Sequence, residues 1–393
     1  MRLTFTLLVL SSLLLSSCSE DKIPITTDSE EARQEFLTGR DLFEKLQFND
    51  ALINFNKAIV LDSGFVMAYL YLGILQQNPE KKLEYIKKAK SAMDDVSEGE
   101  RLATLASEAQ MNGETKQQEK YLQEMIESYP RDERALTDLG NYYLMMYNFE
   151  KALVYYQRAI EVNPEYPTVY NQLGYTYRHM ENYPAAEEAF KKYIALIPGN
   201  PNPYDSYAEL LLKMGEFDVS IETYQKALEL DPDFTFSHFG VASNLIYMRE
   251  YNKARQQLKR MAKISGSDEE IIRAHYGCAI TFLAEGDLEQ GLQEIAIMHE
   301  LSEKNANNLG VIRNFYLKAL VLYDFDKLEE AQKELEKGRE LMVAADFPAE
   351  IEKNLEQTCL FYETLIAVKK GDLKQADSCA EKFATLIKDS DNI

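Results

Sequence analysis

At 393 residues the chain exceeds the length at which a single hydrophobic core usually stops growing, so it must divide into domains or repeat a small unit. Its 65 Asp and Glu against 43 Lys and Arg give a formal net charge of -22, the wrong sign for a nucleic-acid binder, which neutralises phosphates with Lys and Arg. The acidity reads as a solvated face that keeps an elongated molecule soluble, and with no Trp the aromatic packing falls to 25 Tyr and 18 Phe.

Residues 1–17 have the anatomy of a secretory signal peptide: Arg2, an apolar run over residues 3–15, then the small Ser16 and Ser17. The run is shorter than the ~20 apolar residues of a spanning helix, and no later stretch approaches that length. The tetrapeptide Leu15-Ser16-Ser17-Cys18 resembles the lipobox of bacterial lipoproteins. That resemblance implies cleavage before Cys18, acylation of its thiol and a membrane anchor. At about 0.8 kcal/mol per buried methylene, several acyl chains hold a protein stably where one does not.

Residues 18–29 follow as the lipidated Cys and a tether. The stretch over residues 19–27 is short and polar and contains Pro24, and ten such residues reach about 35 Å when fully extended. Ser19, Glu20 and Asp21 resemble the acidic address that directs some lipoproteins to the cell surface. The expected location is the cell envelope, at the outer membrane on its periplasmic or surface face.

The remainder is repetitive. Pro130, Pro164, Pro198 and Pro232 stand 34 residues apart, each behind an apolar pattern of helical period. One unit reads Leu136, Leu139, Gly140, Tyr143, Ala152, Tyr156, Ala159 and Pro164, and the next Tyr170, Leu173, Gly174, Tyr177, Ala186, Phe190 and Pro198. In that second unit Tyr193 occupies a position where a small residue is expected. A third gives Tyr204, Tyr207, Ala208, Leu211, Ser220, Tyr224, Ala227 and Pro232, and a fourth His238, Val241, Ala242, Leu245, Ala254, Leu258 and Met261.

The period and these positions resemble the tetratricopeptide repeat. The resemblance implies an all-α fold, a right-handed α-solenoid of about ten helix hairpins over residues 30–393, best matched over 133–268. Antiparallel helices approach closely where small side chains meet, so Gly140 or Ala208 is expected to face Ala152 or Ser220. Upstream, Gly39, Ala51, Phe55 and Ala58 mark a first unit, Leu72 and Gly73 open a second with a shortened turn over residues 77–81, and residues 113–130 supply the second helix of a third. Downstream the register slips around residues 303–308 and 343–350, where the stack is expected to bend.

That leaves no room for a catalytic domain, and no phosphate loop, dinucleotide fingerprint, zinc-protease motif, CxxC or EF-hand is present. The chain therefore reads as a non-enzyme without cofactor or metal. His275 and Cys278 share a helix face but fall on repeat-core positions, and Cys359 and Cys379 read as free thiols.

In the tetratricopeptide superfamily the first helix of each repeat lines a concave groove. Carried onto this sequence, its ligand positions fall on Arg134, Thr137 and Asn141, then Asn171, Tyr175 and Arg178, then Asp205 and Glu209. Asn141, Asn171, Tyr175, Arg178, Asp205 and Glu209 form the favoured site, since Asn pairs with both polar groups of a peptide backbone and the charges select among partners. Beyond them the groove positions turn aromatic, with Phe236, Phe239, Tyr247, Arg273, Tyr276, Arg313 and Tyr316. The expected partners are proteins or peptides, and the expected role is a membrane-anchored interaction scaffold. The alternatives are an accessory subunit of a signalling or enzymatic system whose catalytic part is another chain, and a glycan-binding surface lipoprotein, which the absence of Trp disfavours.

Overall fold

A computed structural model describes residues 22–76, 79–345 and 347–388. The signal peptide over 1–17, Cys18 and residues 19–21 lie outside the described residues. Among the described residues there are twenty α-helices, a 3-10 turn at Met93–Asp95 and no strand. They form ten successive pairs. These are α1 (Glu30–Glu44) with α2 (Phe48–Leu61), α3 (Val66–Ile74) with α4 (Pro79–Ser91), α5 (Glu98–Met111) with α6 (Thr115–Ser128), α7 (Glu133–Met145) with α8 (Phe149–Val162), and α9 (Pro167–His179) with α10 (Tyr183–Leu196). Then come α11 (Pro201–Met214) with α12 (Phe217–Leu230), α13 (Thr235–Tyr247) with α14 (Tyr251–Ile264), α15 (Asp268–Ala284) with α16 (Leu288–Lys304), α17 (Asn308–Asp324) with α18 (Leu328–Ala344), and α19 (Ala349–Lys370) with α20 (Leu373–Lys388). No helix among the described residues is long and apolar enough to cross a membrane. The chain gathers into two compact units that meet in sequence at Leu210 and Leu211.

Helix starts and turns explain the 34-residue period. Asp132 caps α7 through the N–H groups of Arg134 and Ala135, while Asn148 and Asn182 cap α8 and α10. The turn inside each of the five hairpins from α5 to α14 has one residue of left-handed backbone. It falls at Gly113, Tyr147, Glu181, Gly215 and Arg249, 34 residues apart, with φ between 56° and 84°. Only two of the five are glycine. At the other three the packing of the flanking helices imposes a conformation that a side chain disfavours.

In the first unit Ala51, Ala58, Ala152, Ala159 and Ala186 are all fully buried between helices. The space left by Gly140, however, is filled by the Tyr156 ring and not by Ala152: a Cβ at residue 140 would stand 2.4 Å from Tyr156 Cε1. Gly174 meets the Phe190 ring in the same way, at 2.4 Å. A small residue on the first helix thus admits an aromatic one from the second, one turn beyond the alanine. Tyr193, large where a small residue was expected, is buried and donates its hydroxyl to Asn202 Oδ1 at 3.1 Å, which fits it between α10 and the start of α11.

Two long-range features of this unit have no trace in the repeat pattern. The end of α1 reaches other hairpins: Arg134 Nε donates to Glu44 Oε1 at 2.7 Å, its guanidinium lies over the Tyr166 ring, and Asn200 Nδ2 donates to Lys45 O. Burial opposes the charge on Arg134, but Glu44 outweighs it and holds the guanidinium pKa above its ordinary value. The second feature is the segment over residues 22–29, which is bound to the helix starts along one edge instead of spanning open space. Lys22 pairs with Glu133 at 2.8 Å, Ile23 N donates to Asp132 Oδ2 at 3.0 Å, and Thr27 Oγ1 donates to Asp62 Oδ2 at 2.5 Å. Thr26 gives its N–H and hydroxyl to the two oxygens of Glu100, at 2.9 and 2.5 Å.

In the second unit the helices lengthen. From α15 to α18 each has 17 residues and α19 has 22, so first helices begin at Asp268, Asn308 and Ala349, 40 and 41 residues apart. The register slip coincides with added helical turn in these hairpins.

Candidate protein-binding groove

The first helices α7, α9 and α11 carry the six favoured residues. The structure joins three of them into one cluster. Tyr175 on α9 donates its hydroxyl to Glu209 Oε2 on α11 at 2.9 Å and reaches Ser206 Oγ at 3.2 Å. Arg178, one turn further along α9, donates to Glu209 Oε1 at 2.5 Å and lies 4.8 Å over the Tyr175 ring. Burial, reinforced by the Glu209 charge, pushes the Tyr175 phenol far above its ordinary pKa, so it stays a neutral donor. The cluster locks α9 to α11 at its own level.

The other three are placed differently. Asn141 on α7 accepts the Tyr156 hydroxyl at 2.9 Å, so its oxygen is tied to the second helix of its own hairpin. Asn171 on α9 is partly exposed, yet its Oδ1 is buried and has no hydrogen-bond partner among the described residues. Asp205 on α11 is half-buried. Thr137, also a groove position by sequence, is instead buried and donates to Glu133 O in its own helix.

The Tyr175 ring also belongs to the packing of its own hairpin, edge-on to Phe190 with centroids 5.3 Å apart. Removing the whole side chain would open the hairpin core, and only its hydroxyl is separable from the packing.

A further carboxylate stands on α7. Asp138 is exposed to water but walled by protein, which pushes its carboxyl up to about 7; the Asp132 charge adds to the shift and Arg134 opposes it.

In the second unit, Arg273 lies 5.7 Å from the Phe236 ring centroid and 5.9 Å from that of Phe239. A cavity of about 400 Å³ between α17 and α19 is lined by Arg313, Tyr316, Leu317, Ile351, Asn354 and Tyr362, among others. Among the described residues no three His, Cys, Asp or Glu side chains come together as a metal site. His275 Nδ1 is paired with Glu294 at 2.5 Å, and burial pushes the Cys278 thiol up to about 11 and that of Cys359 up to about 12. Cys359 and Cys379 are separate buried thiols.

Successive paired helices joined by short turns define an all-α helical-repeat solenoid. Family models of the tetratricopeptide repeat match residues 133–166, 155–188 and 202–234. The chain is a tetratricopeptide-repeat protein. Among solved structures it is similar to the APC/C hetero-tetramer Cut9–Hcn1, with TM-score 0.53 and 15% identity over 71% of this chain and 55% of that one. Yeast Tom70 gives 0.51 and 18% over 75% of this chain and 66% of its own. A tetratricopeptide repeat protein from Parabacteroides merdae gives 0.48 and 15% over 67% and 99%. At these identities the first two likenesses establish the fold alone. No curated protein matches the chain by sequence.

The site residues that sequence reasoning missed are Glu100, Gly99 and Asp132, which hold residues 22–27. Ser97 and Glu100 form a capping box, a legible local signal, but nothing local tells that the same carboxylate serves a segment 74 residues away.

Proposed function

We propose that this chain is an interaction scaffold of a bacterial cell envelope, anchored to the membrane through lipid on Cys18, that takes an extended segment of a partner protein along α7, α9 and α11. Tetratricopeptide-repeat proteins serve as protein-binding scaffolds, which supports the class. The observation that carries the site is Asn171. A buried amide oxygen without a donor costs about 1–3 kcal/mol, and a partner's backbone N–H that draws this half-exposed side chain outward relieves that cost. Around it the Tyr175, Arg178 and Glu209 cluster supplies a fixed wall with both charge signs, suited to a polar segment.

Two experiments test the reading. A Cys18→Ser chain should lose its acyl label and leave the membrane fraction; unchanged labelling and fractionation would remove the anchor. Asn171→Ala combined with Tyr175→Phe keeps the ring against Phe190 while removing the amide offered to the partner and the hydroxyl that fixes Glu209, so partner capture should fall about tenfold or more at unchanged helicity. Full retention of the partner would move the site away from α9.

A further inference from the structure

The first unit carries a built seat for its own N-terminal residues. Glu100 is fully buried, and its carboxylate accepts from Thr26 N and Oγ1 as well as from Ser97 N and Oγ. Two of its four donors thus come from residue 26. Gly99 beside it lacks the Cβ that would stand 2.8 Å from both Ile23 Cγ1 and Ile23 Cγ2. Ile23 joins the core around Leu102, Tyr129 and Leu136, and Pro24 O lies 3.4 Å from Ser97 Oγ. Arg33, from α1, donates to Ile25 O at 2.6 Å and grips the segment from its other side.

We propose that residues 22–27 are a strap that sets the orientation of the first unit on the membrane, holding against the lipid the edge that bears the starts of α5, α7 and α9. This rests on the anchor at Cys18. Only three residues separate Cys18 from Lys22, so the chain between them spans at most about 14 Å, against the about 35 Å of a free ten-residue tether. The strap leaves the body at the start of α7, where Glu133 holds Lys22 and also accepts from Asn163 Nδ2 at 3.3 Å, just before α9. Glu165, exposed beside Asn163, therefore faces the lipid, and Glu181, exposed at the opposite end of α9, faces away.

The test uses the lipidated full-length chain in phosphatidylcholine vesicles containing a lipid with a quencher on its headgroup. A fluorophore is placed at Glu165→Cys or at Glu181→Cys. The 13 residues of α9 span ~20 Å, so quenching at position 165 should exceed that at 181 by about twofold or more. Release of the strap by Gly99→Val, or independently by Ile23→Asp, should bring the two signals together. Equal quenching at both positions in the unsubstituted chain, or an asymmetry that survives both releases, overturns the proposal.

Amide exchange at Ile23 and Thr26, measured on unlipidated chain, reads the docking without reference to lipid. Exchange should be slow in the unsubstituted chain and accelerate about tenfold or more in both variants, as expected for local opening. Fast exchange in the unsubstituted chain overturns the strap itself. Slow exchange together with membrane retention of Cys18→Ser overturns the anchor alone.

Discussion

Substituting Gly140 with Ala should destabilise the first unit, although the same change in an ordinary helix stabilises it. Glycine inside a helix costs about 1 kcal/mol relative to alanine, so the backbone by itself favours the substitution. Against that, the new Cβ would stand 2.4, 2.7 and 3.0 Å from three atoms of the Tyr156 ring. Tyr156 is fully buried and belongs to the same core as Leu139, Tyr143 and Tyr166, so it has no open direction in which to yield. Overpacking of this kind costs roughly 1–3 kcal/mol, and displacing the ring also strains the 2.9 Å bond from its hydroxyl to Asn141, worth about 1 kcal/mol. The net expectation is a loss of about 1–3 kcal/mol. The measurement is urea unfolding followed by circular dichroism, read for the first transition because helical repeats need not unfold in one step. The same substitution in a Tyr156→Leu background should cost markedly less, since the clashing atoms are gone. A stabilised Gly140→Ala chain, or equal effects in the two backgrounds, would refute the packing argument.

Gly174→Ala should behave alike but lose slightly less, because Phe190 has no hydroxyl to displace. Tyr147→Gly and Arg249→Gly should each stabilise by about 0.5–1 kcal/mol, since φ of 56° and 61° costs a side chain but not glycine; an unchanged or lower unfolding midpoint for both would show that the turns carry no such strain. Asp138 has a folded pKa near 7, above the about 3.9 of an unfolded chain, so its ionisation weakens the fold as pH rises through that window. Asp138→Asn should therefore raise the melting midpoint more at pH 8 than at pH 4, and a pH-independent difference would count against a raised pKa.

What the sequence made legible was whatever repeats locally. The prolines at a 34-residue spacing, the alanines at 152, 159 and 186, and the aromatic residues at 156 and 190 all report neighbours within one hairpin or the next. The ten-hairpin architecture follows from them. The partner of Gly140 was misjudged because an alanine and an aromatic residue one turn apart on α8 satisfy the same pattern, and only the crossing geometry selects between them. Tyr175 was assigned to the groove, yet its ring also packs edge-on against Phe190 while its hydroxyl binds Glu209, a double use that no local pattern announces. The added turns of α15 to α19 looked like slippage because a pattern tuned to 34 residues loses phase when a helix grows by one turn. Contacts such as Arg134 to Glu44 and Thr26 to Glu100 join residues 90 and 74 positions apart and leave no periodic mark.

Anyone who expresses a fragment of this protein faces a decision that the seat beneath Ile23 and Thr26 settles. Starting the chain at Glu30, where the first helix begins, is the usual choice for a soluble fragment. Here it would strip the Glu100 carboxylate of two donors, open the hollow over Gly99 and free Asp132 of its contact with Ile23 N, all in the same few cubic nanometres. A buried carboxylate robbed of donors draws in water, which loosens the start of α5. A fragment beginning at Ser19 keeps the seat filled, and it is the shorter form, not the longer, that would misreport the stability of the native repeat array.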